Sequence, residues 1–176
     1  MEKKHLNIKV INILWEKIPF DFEIIKTKNS ESDFGLYQVY GKHNVYGQNA
    51  LLYIGQSNIQ KFSNRLKDRW EFIESSCIPK FICLGKIVKS KNASEPFEYE
   101  INEWEKIINI AEKILIKTHT PAMNKQDVTG LFNKEQDENY LILNWGDYGK
   151  LLPEVSNLRF SYKYWDYEIP LVHNNL

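Results

Sequence analysis

The sequence predicts an α/β protein: a small three-stranded antiparallel sheet flanked by helices, with an N-terminal arm and an aromatic C-terminal appendage. Two observations carry that expectation. Three short runs rich in aliphatic and aromatic residues, near residues 35 to 40, 50 to 54 and 81 to 88, are bounded by turn formers, as strands are. Two longer segments, from about 57 to 73 and from about 94 to 120, repeat apolar residues every three or four positions, the period of an amphipathic helix.

In chain order, residues 1 to 33 form the arm. It opens Met1-Glu2-Lys3-Lys4-His5, carries Leu6, Ile8, Val10, Ile11, Ile13, Leu14 and Trp15, and then meets Pro19 and Phe20-Asp21-Phe22, a pattern that leaves its secondary structure open. Lys28 to Asp33 reads as a polar turn, and Gly35-Leu36-Tyr37-Gln38-Val39-Tyr40 as the first strand. Turn formers between Gly41 and Asn49 lead into Ala50-Leu51-Leu52-Tyr53-Ile54, so an antiparallel hairpin is the economical arrangement. Beyond Gly55, Ser57 or Asn58 can cap a helix with Ile59, Phe62, Leu66, Trp70 and Ile73 on one face and Lys61, Arg65 and Arg69 on an adjacent stripe. After the third strand, Lys89-Ser90-Lys91-Asn92 breaks the chain. A helix starting near Ser94 then aligns Phe97, Ile101, Trp104, Ile108, Ala111 and Leu115, with Glu98, Glu105 and Glu112 along its flank and Pro121 ending it. The core domain thus spans 34 to 126. Residues 127 to 176, with Asn144-Trp145-Gly146-Asp147-Tyr148-Gly149, Phe160, Tyr162, Tyr164, Trp165 and Tyr167, read as an irregular aromatic extension outside that core.

Composition narrows the classes. The 176 residues are 43% hydrophobic and 26% charged, which suits a folded domain and excludes disordered or collagen-like chains. Lys plus Arg and Asp plus Glu are both 23, so there is no global electrostatic pull toward nucleic acid or membrane and any basic surface must be local. Such a locale exists: between Gln56 and Asn92, Lys61, Arg65, Lys67, Arg69, Lys80, Lys86, Lys89 and Lys91 outnumber Asp68, Glu71 and Glu74. Ten Tyr, nine Phe and five Trp exceed what a small core needs, so some should sit at a working surface. Cys77 and Cys83 have no zinc-ligand spacing and read as buried thiols. With no secretory h-region and no apolar run of membrane-spanning length, the expectation is a cytoplasmic protein with no membrane partner.

Two tyrosines on neighbouring strands, two arginines one helical turn apart and a glutamate on another helix are the parts of a phosphodiester-cleaving centre. Such a centre needs a group that deprotonates or orients water, a cation that spreads phosphate charge, and usually a divalent metal held by oxygen. Gly35-Leu36-Tyr37 and Tyr53-Ile54-Gly55 resemble the paired motifs of the GIY-YIG nuclease superfamily, with Leu for the central Ile of the first. The ungapped run from Glu112 through Leu115-Ile116-Lys117, His119 and Pro121 to Asn124 is similar to the corresponding run of the nucleotide excision repair incision subunit. Asn64-Arg65-Leu66 is similar to the helix carrying the family's catalytic Arg. Tyr37 and Tyr53 are further apart than is usual in the family, which implies an enlarged hairpin loop, and Arg65 lies slightly further from Gly55, which leaves open whether Arg65 or Arg69 faces the phosphate.

The resemblance implies a metal-dependent DNA endonuclease, of a size compatible with a restriction or defence enzyme. Tyr37 would be the water-activating base and Tyr53 would contact water or the scissile phosphate. Because a free Tyr has a pKa near ~10, the base needs a metal, an Arg or the phosphate itself to favour the phenolate. Arg65 would neutralise the non-bridging oxygens with help from Arg69, and Glu112 would hold a single Mg²⁺ or Mn²⁺. Asn124 would position a phosphate or a backbone group, and His119 would contact DNA backbone or cap its helix, the cap being the simpler role. Gly35 and Gly55 would chiefly permit close backbone approach. Each residue also has a structural alternative: cross-strand packing for the tyrosines, a solvated basic stripe for the arginines, a solvated flank for Glu112 and a turn for Asn124. Accordingly a non-catalytic nucleic-acid or protein-binding module on the same fold is the competing function. The aromatic tail, alternatively, suits the interface of a homo-oligomer.

Overall fold

The structure, a computed structural model, describes residues 7–28, 35–58, 60–70, 77–88, 101–124 and 138–160, and of residues 68–70, 101 and 102 it describes the backbone alone. Its strands are β1 (Ile8–Pro19), β2 (Gly35–His43), β3 (Gly47–Ser57), β4 (Cys77–Val88), β5 (Asn139–Gly146) and β6 (Glu154–Ser156). The helices are α1 (Phe22–Thr27), α2 (Phe62–Trp70) and α3 (Ile101–His119), with a 3-10 turn at Asn157–Phe160. Ile59, Ile73, Phe97, Glu98 and the aromatic run from Tyr162 onward lie outside the described residues.

The three expected strands are β2, β3 and β4, hydrogen-bonded antiparallel with β2 in the middle. The sheet continues past them. β1 pairs antiparallel with β4 from Asn12↔Val88 to Pro19↔Phe81, and parallel with β5 from Ile8↔Asn139 to Trp15↔Gly146. With β6 the order is β3-β2-β4-β1-β5-β6, so the three-stranded sheet is corrected to a mixed six-stranded one, while the α/β class stands.

The physical reason lies in the residues read as an arm and an appendage. Along β1, Ile11, Ile13 and Trp15 are buried while Val10, Leu14 and Glu16 are exposed, the two-residue period of a half-buried strand. Apolar Val10 and Leu14 on its open side hide that period in the sequence. In β5 the loop-forming Asn144 is buried because its side chain is fully used: Oδ1 accepts from Trp15 Nε1 at 2.9 Å and Nδ2 donates to Leu152 O at 2.8 Å. The loop after β5 also docks on β2, where Lys150 N donates to Tyr40 Oη at 2.8 Å and that hydroxyl donates to buried Gln38 Oε1 at 2.6 Å.

Apolar side chains on the two sheet faces build two clusters. Helix α3 lays Ile108, Ala111, Ile114 and Leu115 against Ile13, Leu36, Ile54 and Ile142. On the other face, Ile25 of α1 and Phe62 and Leu66 of α2 pack with Tyr37, Val39, Leu52, Ile82 and Leu84. Cys77 and Cys83 are buried thiols outside any disulfide, and burial pushes the Cys83 thiol up to about 12. No helix among the described residues is long and apolar enough to cross a membrane.

Candidate functional site at the β3 edge

β3 is an edge strand, and its register against β2 places Tyr37 opposite Gly55 and Val39 opposite Tyr53. Tyr37 and Tyr53 therefore share the α2 face as diagonal neighbours, their rings stacked with centroids 6.0 Å apart and planes 25° from parallel. Phe62 of α2 meets Tyr37 edge-on at 6.3 Å. Tyr37 is 1% exposed, whereas Tyr53 is half-buried.

The motif glycines make this packing feasible. A Cβ on Gly55 would lie 2.5 Å from both Cζ and Oη of Tyr37 and 2.7 Å from Tyr53 Cε1. Thus the glycine of the second motif vacates the space that the tyrosine of the first occupies. At Gly35 a Cβ would lie 2.1 Å from Gly85 O, so that glycine permits the close approach of β2 to β4.

Arg65 is partly exposed on α2, next to buried Leu66 and three residues beyond buried Phe62, the residue that touches Tyr37. The structure thus brings Tyr37, Tyr53 and the helix of Arg65 to one face. Arg69 belongs to the same helix, and its side chain lies outside the described residues.

Glu112 approaches β3 from the other face. Alternation along the strand sends Tyr53 and Gly55 toward α2, and Ile54 and Gln56 toward α3. There Gln56 Nε2 donates to Asn109 Oδ1 at 2.6 Å and to Glu112 Oε2 at 2.8 Å. Gln56 Oε1 is buried and meets no hydrogen-bond donor among the described residues. Gln56 and Asn109 lie outside the motif residues. Their signal was positional: Gln56 directly follows Tyr53-Ile54-Gly55, and Asn109 precedes Glu112 by three residues, which share a helix face.

The same run of sequence then wraps the edge. Ala122 N donates to Leu51 O at 3.2 Å and Met123 N to Leu52 O at 2.9 Å. Asn124, 6% exposed, completes the ladder with its side chain: Nδ2 donates to Ile54 O at 2.8 Å and Oδ1 accepts from Ile54 N at 3.0 Å. Its amide grips the middle residue of Tyr53-Ile54-Gly55. His119 turns away from this cluster, its Nε2 accepting from Leu152 N at 3.5 Å, while Thr120 N caps Ile116 O at 2.8 Å in the last turn of α3. Burial lowers the His119 pKa to about 4, so near neutrality it carries no positive charge to offer a phosphate.

The donor chemistry around Glu112 suits a hard cation. Its carboxylate and the amide oxygen of Asn109 are both held by the Gln56 amide nitrogen. Among the described residues no three His, Cys, Asp or Glu side chains gather into a closed metal cage. One carboxylate with water and phosphate oxygens is nonetheless a set that Mg²⁺ accepts. Compared with known protein families, curated proteins and solved structures, the chain matches none.

Proposed function

We propose that the chain is a metal-dependent endonuclease of the GIY-YIG type, hydrolysing a DNA phosphodiester by in-line attack of water. The observation that carries this reading is that two motifs distant in sequence meet in space. Asn124 is hydrogen-bonded to Ile54, 70 residues away, and Glu112 to Gln56, 56 residues away, so the Glu112-to-Asn124 run grips the Tyr53-Ile54-Gly55 strand at two points.

In this mechanism Tyr53, the more accessible ring, contacts the attacking water or the scissile phosphate, and Tyr37 stacks behind it as the base. Arg65 spreads the charge that grows on the non-bridging oxygens, a task suited to its planar fork of donors. Arg69, one turn further along α2, assists it. Glu112 holds the cation site at the end of β3, and Asn124 keeps that strand in place through Ile54. A bound Mg²⁺ or Mn²⁺ supplies Lewis-acid stabilisation of the phosphoryl oxygens. The local basic segment from Lys61 to Lys91 draws the DNA backbone toward α2 and β4.

A second reading has its own support. The burial of Tyr37, together with the placement of Glu112 on the opposite face of β3, suits a non-catalytic nucleic-acid or protein-binding module that retains the motifs for packing. Supercoiled plasmid incubated with wild type, Tyr37→Phe and Glu112→Ala in Mg²⁺, Mn²⁺ or EDTA separates the two. Metal-dependent nicking by wild type, lost in both variants, is the expected result. Cutting that survives Glu112→Ala overturns the site, and DNA retention without cutting by wild type favours the binding module.

A further inference from the structure

We propose that Gln56 is a positioning residue for Glu112, setting the orientation in which its carboxylate meets a divalent cation. The inference rests on the cation-dependent reading above. Gln56 Nε2 has two hydrogens and finds two acceptors one helical turn apart on α3, Asn109 Oδ1 at 2.6 Å and Glu112 Oε2 at 2.8 Å. The first bond anchors the amide, and the second fixes one oxygen of the carboxylate, which restrains its rotation. Carboxylates that bind metals are commonly held by such outer hydrogen bonds.

An amide is the right chemistry for this task. A Lys or Arg at position 56 would also hold Glu112, but its charge would neutralise the carboxylate and repel a cation. Gln56 donates without charge. Its other end points to the same conclusion, because Oε1 is buried without a donor among the described residues, a cost that packing alone gives no reason to bear.

Mn²⁺ binding to the full chain, followed by the electron paramagnetic resonance signal of free Mn²⁺, tests this without any need for turnover. Wild type, Glu112→Ala, Gln56→Ala, Gln56→Leu and the double variant Gln56→Ala/Glu112→Ala are titrated, with metal-free thermal unfolding alongside. Both Gln56 variants should bind Mn²⁺ about 10- to 100-fold more weakly, with the Leu variant retaining apolar bulk. The double variant should bind no more weakly than Glu112→Ala alone. A merely structural role would lower the metal-free melting temperature and leave the Kd unchanged. If Gln56→Leu binds Mn²⁺ like wild type while Glu112→Ala does not, the positioning role falls and the cation site stands. If Glu112→Ala binds like wild type, or wild type binds none, the cation site falls and the role of Gln56 with it.

Discussion

Removing the Asn124 amide should unpin the edge of β3. Asn124→Ala deletes a donor 2.8 Å from Ile54 O and an acceptor 3.0 Å from Ile54 N, leaving both main-chain groups of one strand residue without these partners. Each buried group so orphaned costs about 1–3 kcal/mol, and water can reach an edge strand, so the pair comes to about 2–5 kcal/mol. In a chain of this size each kcal/mol moves Tm by about 2–4 °C, which predicts a fall of about 4–20 °C. Circular dichroism melting without metal reads it. Asn124→Asp, which keeps the acceptor but sets a second oxygen against Ile54 O, should lose a comparable amount. A melting point within about 1 °C of wild type for Asn124→Ala would refute the clamp. If that variant lost DNA affinity without any fall in melting temperature, Asn124 would be a direct phosphate contact, the other role its sequence context implies.

Four further outcomes follow from the same structure. Gly55→Ala puts a Cβ 2.5 Å from the Tyr37 ring and hydroxyl, about 1 Å inside ordinary contact, so it should destabilise by about 1–3 kcal/mol and slow plasmid nicking on the order of 10²-fold. Gly47→Ala, at φ 76° with nothing within 4 Å of its Cβ, should cost about 1 kcal/mol of backbone strain and leave nicking unchanged. Asn144→Ala strips partners from Trp15 Nε1 and Leu152 O and should lower the urea midpoint by the equivalent of about 2–4 kcal/mol. His119 should make stability pH-dependent: the native imidazole stays neutral down to about 4 while the unfolded chain takes its proton near 6.5, so acidification through that window favours unfolding. The full shift corresponds to about 3 kcal/mol, and solvent reaching the half-buried ring reduces that to about 1–2 kcal/mol. His119→Gln should flatten the melting profile between about pH 6.5 and 5, before carboxylates dominate. An unchanged slope would show that other groups carry it.

The hairpin was legible because its signals are local. Turn formers between two β-type runs specify β2 and β3, and the apolar period specifies α2 and α3. β1 and β5 were not legible, since what makes them strands is each other: they pair in parallel across 131 positions, as in Ile8↔Asn139, and no local turn announces such a pairing. Asn144 misled for a related reason, because a buried asparagine in a strand makes sense only once Trp15 and Leu152 are beside it. At the candidate site, the motif residues were legible by type and order, while their supports were not. Gln56 gains meaning from α3, and the requirement for glycine at 55 comes from the Tyr37 ring on the neighbouring strand.

The edge position of β3 explains why one short strand joins so many of these residues. An unprotected edge invites unwanted pairing, and here the segment after α3 covers it with Ala122, Met123 and the Asn124 side chain. Covering the edge requires the chain to pass from the α3 face around to the α2 face, where Met123 packs against the cluster that includes Leu52. The wrap therefore ties the layer holding Glu112 to the layer holding the two tyrosines. A strand inside the sheet would be flanked on both sides by other strands, and its two faces would have no such connection. At an edge, groups on the two faces are separated by the thickness of one backbone. Protection of the edge and the tie between the two layers are thus consequences of the same three residues, 122 to 124, which is why a perturbation at Asn124 should be felt at both.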